Sequence, residues 1–398
     1  MLYSDFQGLK LSKLGFGTMR LPLREDQSID EARTEEMVRI AMENGVNYYD
    51  TAYPYHSGKS ELVIGKILSR YPRESYFLAD KYPGHQKADT YDPEQIFEDQ
   101  LKKCGVSYFD FYLLHNVCEY DIDVYLDPKW NIIPYFLEQK KAGRIRHLGF
   151  SSHGAPENLK AFLDVWGKDM EFCQIQLNYL DWTLQEGEKK VRILNEAGIP
   201  IWVMEPVRGG KLASLPEEME QQLRRLEPER STASWSLRFL EDVPGVTVIL
   251  SGMSDEPQME ENVRTFEKEA PLPAEGKELL LGFAEKMKDS VPCTGCRYCC
   301  DGCPAELNIP GLIRDYNEAK FGGGVTVSMR LESVPETEWP SACLHCGNCE
   351  SICPQGIHVP EIMDRFAELQ KTLPSWSKIC EERAEAARKL AEAAKKQA

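Results

Sequence analysis

Two stretches of this sequence combine residue type and spacing into a chemistry: Cys293-x-x-Cys296-x-x-Cys299-x-x-x-Cys303-Pro304 and Cys343-x-x-Cys346-x-x-Cys349-x-x-x-Cys353-Pro354. They take eight of the 13 cysteines. C-x₂-C-x₂-C-x₃-C-P is the spacing by which thiolates hold [4Fe–4S] clusters. Three sulfurs at two-residue gaps wrap one cubane, and the remote fourth, released by its proline, reaches across to the other. The expected ligand sets are Cys293, Cys296, Cys299 and Cys353 for one cluster, and Cys343, Cys346, Cys349 and Cys303 for the other. A zinc ribbon and a disulfide framework are the alternatives. Zinc needs only four thiolates per ion and has no use for the repeated third spacing with its proline. The chain is expected to move electrons.

A second set of residues is dispersed. Asp50, Lys81 and His115 each close a short apolar run, and Tyr55 lies in the loop just after Asp50. An ammonium near a phenol favours the phenolate and lowers its pKa, while a carboxylate pairs with the ammonium and orients it. An imidazole can hydrogen-bond a carbonyl oxygen held between itself and the phenol. Together the four can protonate an alkoxide as hydride reaches a carbonyl carbon. A buried structural ion pair and a satisfied core histidine are the plainer readings of the same residues.

The elements that must position these groups follow a simple alternation. Apolar, β-rich runs recur at 15–19, 47–52, 76–82, 109–115, 146–152, 172–179, 199–207 and 246–252, with helix-period segments between them. One such segment carries Ala32, Met37, Val38, Ala41 and Met42 and is closed by Asn44-Gly45 as a C-cap. Near-continuous apolar strands alternating with helices mean a parallel sheet buried on both faces. Eight units fit a closed (β/α)8 TIM barrel, and no G-x-G-x-x-G follows any strand to suggest an open doubly wound sheet. Barrel active sites collect at the C-terminal ends of the strands, where the second set would converge. Residues 2–17 are expected to begin with a hairpin that plugs the barrel bottom.

After Phe266, the Pro- and Glu-rich EKEAPLPAEGKE reads as a linker. The expected organisation is a barrel at 1–266, a linker at 267–280, a mainly α-helical two-cluster domain at 281–372 and a helical tail at 373–398. The second domain repeats internally: CPAELNIP from Cys303 parallels CPQGIHVP from Cys353, each followed by a helical pattern. Gly322-Gly323-Gly324 reads as a turn in the insert between the runs. The 398 residues carry a formal charge of −17, which repels nucleic acid phosphates. No apolar run spans a bilayer. The start, MLYSDFQGLKLS, shows no export signal, and the unpaired Cys104, Cys118, Cys173, Cys300 and Cys380 suit a reducing cytosol, so a cytoplasmic protein is expected.

Residues 1 to about 265 resemble an aldo-keto reductase. The resemblance is carried by Tyr49-Asp50-Thr51-Ala52-x-x-Tyr55, Ser60-Glu61, Gly65-Lys66, Lys81, Leu113-Leu114-His115 and Leu148-Gly149-Phe150-Ser151. Gln174, Asn178, Glu205-Pro206-x-x-Gly209-Gly210 and Glu261-Asn262 continue it in order. The resemblance implies Tyr55 as general acid, with Tyr53 the fallback, Lys81 and Asp50 as its tuning pair, and His115 as the residue orienting the substrate. It implies NAD(P) as cofactor: Ser151, Ser152 and Gln174 on the nicotinamide carboxamide, Met204 beside the ring, Gly209, Gly210 and Leu212, with Ser251, Gly252, Ser254 and Asn262, on the pyrophosphate and adenosine side. His153 is placed near the site in support, and His85 has no role. Tyr120, Trp130 and Trp182 are candidates to line a substrate pocket. The cysteine domain resembles a bacterial two-[4Fe–4S] ferredoxin.

Two departures bear on the cofactor. Met204 stands where the family commonly has an aromatic, and a thioether contact would replace stacking. Residues 249–260 contain no Lys or Arg, Gln258 stands where an Arg is expected, and Asp255-Glu256 would repel a 2′-phosphate. NADP preference is therefore in question: NAD is used, Arg208 and Arg264 supply the charge, or nicotinamide is not bound. Three functions compete. The first is reduction or oxidation of a small carbonyl or alcohol with the clusters passing electrons to a partner. Nicotinamide exchanges two electrons at once and cubanes one, so a flavin at the barrel mouth is a candidate mediator. The second is a ferredoxin-driven reductase without nicotinamide; the third is a non-enzymatic electron-transfer module on a repurposed barrel. Nothing in the sequence sets an oligomeric state.

Overall fold

In the computed structural model the described residues are 1–84, 90–118, 122–287, 290–320 and 324–378. His85, Tyr120, Gly322-Gly323, Cys380 and residues 379–398 of the expected tail lie outside them. The chain divides into two compact units, Met1–Lys288 and Asp289–Ala398.

The apolar runs of the first unit leave water on both faces. Phe109–Leu114 and Val246–Ser251 are buried at every position, as expected of strands with helices outside and a filled barrel inside. A hairpin, β1 (Tyr3–Phe6) and β2 (Leu9–Ser12), comes first. The barrel strands are β3 (Leu14–Gly17), β4 (Tyr48–Asp50), β5 (Phe77–Tyr82), β6 (Phe109–Leu114), β7 (Ile145–Ser152), β8 (Cys173–Gln176), β9 (Ile201–Met204) and β10 (Val246–Ser251). They close in the order β10-β3-β4-β5-β6-β7-β8-β9, every pairing parallel. This is the expected eight-unit barrel.

The hairpin turns at Gln7 (φ 47°) and Gly8 (φ 86°), left-handed conformations that let two antiparallel strands reverse in two residues. Phe6 and Leu11 then enter a buried aromatic layer with Tyr48, Phe111, Phe172 and Trp202. The Phe6 and Trp202 rings meet edge to face at 5.1 Å. The plug is thus an aromatic wedge filling the N-terminal end of the barrel.

Between strands, caps stop the helices. Asp30 accepts from Arg33 N–H to open Glu31–Glu43, and Gly45 at φ 83° follows its end. Helix Ser60–Leu68 lies so close to Pro93–Cys104 that a β-carbon on Gly65 would stand 2.6 Å from Cys104 Cα.

Where a linker was expected at 267–280, the structure has a helix, Ala274–Met287, whose Leu280, Phe283, Ala284 and Met287 join the core of the first unit. Those positions lie on one face at helical spacing, a pattern the adjoining Pro- and Glu-rich composition masks. The stretch before it is tied down by Arg238, which donates to Ala270 O (2.7 Å) and Pro271 O (3.0 Å).

The second unit is helical among the described residues. Ile309–Lys320 and Val359–Gln370 pack with Gly324–Leu331 around Leu312, Ile313, Tyr316, Val327, Met363 and Phe366. Its two halves repeat in backbone as well as sequence: left-handed φ occurs at the matching pairs Gly295/His345, Arg297/Gly347 and Glu306/Gly356. No helix among the described residues is long and apolar enough to cross a membrane.

Candidate active site and cysteine cages

Parallel closure brings the ends of β4, β5 and β6 to one rim. Asp50 is in register with Gly17 and Ala79, and Lys81 with Leu113. A chain of hydroxyls fixes the end of β4: Thr18 Oγ1 donates to Asp50 O (2.9 Å), Ser60 Oγ donates to Thr18 Oγ1 (2.7 Å), and Ser60 and Thr51 hydroxyls meet at 3.0 Å. Tight turns through His56, Ser57 and Gly58, all at positive φ, fold the following loop back so that Ser60 N–H reaches Tyr55 O. Tyr55 therefore sits on a short, locked loop.

Lys81 Nζ donates to Asp50 Oδ1 (2.5 Å) and Thr51 O (2.7 Å), and lies 5.0 Å from the centre of the Tyr55 ring. The His115 ring meets the Tyr55 ring at 6.0 Å and 82°. Tyr125 OH donates to His115 O at 2.7 Å and holds it in place. All four side chains are buried. Tyr53 belongs to a different cation, with Lys103 Nζ 3.9 Å above its ring.

Burial pushes the Tyr55 phenol well above its ordinary range, and the carboxylates of Asp50, Glu205 and Asp80 push the same way. Burial also raises Asp50, against the pull of Lys81. The expected lowering by Lys81 does not prevail in this chain, because burial, the largest influence on the phenol, and the neighbouring carboxylates both raise it. Tyr55 holds its proton at neutral pH, the state a proton donor requires.

The residues expected on the carboxamide lie between β6, β7 and β8. Ser151 pairs in register with Gln174, and its Oγ accepts from Asn116 N–H at 2.8 Å. Ser152 Oγ donates to Val117 O (2.7 Å), so this hydroxyl is spent on the strand end. Gln174 Oε1 and Asn116 Oδ1 are buried with no hydrogen-bond partner among the described residues. Two orphaned acceptors flanking Ser151 suit an amide NH₂, which donates twice. Asn116 was missed in the sequence; its only signal is its place beside His115. His153 Nδ1 meets Gln176 Oε1 at 2.9 Å, and burial lowers its imidazole to about 4.

Met204 ends β9, half-buried. Beyond it, Arg208–Gly210 form a tight turn with Gly209 at φ 65° and Gly210 at φ 94°, and Leu212 is fully buried beneath. Across the mouth, Ser251 Oγ accepts from Asn262 Nδ2 (3.0 Å), and Ser254 Oγ donates to Arg20 O (2.8 Å). Asp255 caps helix Glu256–Thr265 by accepting from the backbone and side chain of Gln258, both at 2.9 Å. Of the two alternative cations, Arg208 is buried against Asp181 (Nε to Oδ1 3.0 Å). Arg264 lines a cleft with Glu261, whose Oε1 is buried without a hydrogen-bond partner among the described residues. Trp182 packs on Phe239 (5.8 Å) and Trp130 on Tyr91 (4.9 Å).

In the second unit the eight cysteines line two separate cavities. Cys293, Cys296, Cys299 and Cys353 line one, with Pro310, Ile313 and Ile357. Cys303, Cys343, Cys346 and Cys349 line the other, with Leu307, Ile309 and Met363. These are the quartets expected from the spacing. Among the described residues, no three His, Cys, Asp or Glu side chains close on a single ion-sized point. Four thiols lining each apolar cavity supply the donor type and number that a [4Fe–4S] cubane takes.

Residues 13–277 match the aldo/keto reductase family, and residues 292–357 match the 4Fe-4S dicluster domain. Among similar proteins, Probable aldo-keto reductase 1 of Glycine max is 27% identical over 214 residues, 51% of this chain and 58% of that protein. The NADH-specific methylglyoxal reductase of Escherichia coli is 24% identical over 223 residues, 51% of this chain and 66% of that protein. The chain thus spans less than two thirds of the length of either. The solved aldo-keto reductase AKR11C1 from Bacillus halodurans, in its holo form, superposes with a TM-score of 0.57 at 28% identity, covering 69% of this chain and 93% of that one.

Proposed function

This chain belongs to the aldo/keto reductase family, and from that membership we propose that it interconverts a small carbonyl compound and its alcohol at the barrel mouth, with Tyr55 as the proton donor. We further propose that two [4Fe–4S] clusters, held by the two cysteine quartets, connect this reaction to a ferredoxin or another redox partner.

The observation that carries the first part is the buried Lys81–Asp50 pair set against the Tyr55 ring. A carbonyl oxygen placed between Tyr55 and His115 would take the Tyr55 proton as negative charge grows on it. Lys81 would then stabilise the phenolate left behind, a role it can play only because Asp50 holds its ammonium in place. Gln174, Asn116 and Ser151 would orient a carboxamide, which sets one face of a nicotinamide toward the carbonyl carbon. A bound nicotinamide dinucleotide supplies or accepts the hydride. Asp255 and Gln258, which occupy the start of helix Glu256–Thr265, favour NAD over NADP, since a carboxylate there repels a phosphate monoester.

Bound [4Fe–4S] clusters exchange single electrons, so coupling them to hydride chemistry calls for a two-to-one-electron mediator such as a flavin. The absence of Lys and Arg from 249–260 supports a second reading, a ferredoxin-driven reductase that does not use nicotinamide.

Protein purified without oxygen and mixed with NADH or NADPH distinguishes these readings. Bleaching of the cluster absorbance by NADH is the expected result. Nucleotide oxidation on adding an aldehyde, without bleaching, would leave the clusters structural. Reduction by dithionite or ferredoxin with no response to either nucleotide would sink the nicotinamide reading and leave the second.

A further inference from the structure

Glu205 is a carboxylate in an unusual place. It follows the last residue of β9 with a left-handed backbone (φ 58°), a conformation that strains any side chain other than glycine. Its peptide is anchored on both sides: Asn178 Nδ2 and Arg208 N–H donate to Glu205 O, both at 3.0 Å, and Ser236 Oγ donates to Pro206 O at 2.5 Å. The loop is fixed, and only the side chain is left to move. That side chain is 13% exposed, and its Oε1 stands 3.9 Å from Arg20 Nη2.

Arg20 arrives from the opposite side. Its stem lies flat on Gly252: a β-carbon at Gly252 would meet Arg20 Cβ, Cγ and Cδ, each at 3.3 Å. Its carbonyl is held by Ser254 Oγ. Arg20 therefore extends from the Ser251–Ser254 loop to the Glu205–Gly210 loop, across the barrel seam where β10 pairs with β3. Those are the two loops that the family resemblance puts on the pyrophosphate and adenosine side of a dinucleotide. Of the other nearby cations, Arg208 is paired with Asp181 and Arg33 with Glu256 (Nη2 to Oε2 2.5 Å), while Arg264 lines a cleft with Glu261. Lys211 lies just beyond the glycine turn.

We propose that the Glu205 carboxylate holds the Arg20 guanidinium that a dinucleotide pyrophosphate would take, and that binding requires Glu205 to release Arg20 to the phosphates. This inference rests on the nicotinamide reading. At 3.9 Å the ion pair is loose, whereas a phosphate can take two guanidinium hydrogen bonds at roughly 2.7–2.9 Å and displace it. Burial raises the Glu205 carboxyl above its ordinary range, with Asp181 adding to it, while the Arg20 and Arg208 charges and the Gly209 N–H pull the other way, toward the carboxylate. The same N–H group and the same Arg20 charge would favour a phosphate in its stead.

The test is the affinity of the anaerobically purified full-length chain for NADH and for ADP-ribose, which has the pyrophosphate but no nicotinamide. Iron content and melting temperature serve as folding controls. Glu205→Gln removes the competing charge and should tighten both ligands about tenfold or more, while Arg20→Met should weaken both by a similar factor. The double variant should behave like Arg20→Met alone, because the gain at Glu205 acts through Arg20. Binding by the native chain that neither single variant alters would overturn the exchange and leave the nicotinamide reading standing. Failure of the native chain and of Glu205→Gln to bind either ligand would overturn both.

Discussion

Lys81 and Asp50 leave water together, 1% and 3% exposed, and neither could do so alone. Removing one partner of such a pair leaves an uncompensated buried charge, at a cost of about 3–5 kcal/mol. Lys81→Met should therefore lower stability by that amount in urea titrations, and Asp50→Asn combined with it should recover much of the loss. Tyr55→Phe tests the chemistry separately. It should depress carbonyl turnover by about 10²–10⁴-fold while leaving iron content unchanged, and retained turnover would move the acid to another group. His153 carries a pH signature. Its folded pKa, about 4, lies below the ordinary 6.5, so the stability it contributes is present above pH 6.5 and lost as pH falls toward 4. The effect is at most about 3 kcal/mol, and His153→Gln should flatten the urea midpoint across that window. Asp50, Lys81 and His115 were legible because each falls at the end of a recognisable strand, and Tyr55 because it lies in the loop that follows Asp50. Asn116 was not, because what marks it is a missing partner, and partners are a property of the folded chain.

At the scale of elements, helix Ser60–Leu68 and helix Pro93–Cys104 meet through Gly65 with no room for a methyl group, and the obstacle is Cys104 backbone, which cannot rotate away. Gly65→Ala should destabilise by about 1–3 kcal/mol in thermal or urea unfolding. Behind the same contact, Glu61 and Asp80 are buried together. Burial raises Asp80 well above its ordinary range, with the Glu61 charge adding to it, and burial raises Glu61 too, against the pull of Lys103, 3.2 Å from its Oε2. Of the two carboxyls, Asp80 is the one pushed further toward its protonated form. A raised carboxyl contributes stability below its unfolded pKa and loses it as pH rises through the folded one. Asp80→Asn should accordingly leave the fold intact at pH 7, and Glu61→Gln, which strips Lys103 of its partner, should be the more damaging change. Helix Ala274–Met287 shows why composition misled at this scale: a Pro- and Glu-rich stretch adjoined a helix whose apolar face is visible only by period.

Over the whole molecule, two units with separate cores carry two kinds of site. Cys353 lies far along the chain from Cys293, Cys296 and Cys299 yet lines their cavity. Cys353→Ser should therefore remove the cluster of the first run and lower iron from about eight to about four atoms per chain, with the barrel's activity on a carbonyl substrate a separate readout. Loss of the second run's cluster instead would refute the crossed ligand sets.

Local spacing alone determined the two cysteine runs, the eight strands and the residues that end them, because a periodic pattern commits a segment to its element before any long-range contact forms. The tertiary structure decided which tyrosine Lys81 faces, through the pairing of β4 with β5. It decided that burial and the neighbouring carboxylates together raise Tyr55, and that Arg20 meets Glu205 only where β10 closes on β3. Those outcomes depend on distances between residues far apart in the chain and on the removal of water, and both come into being when the barrel closes.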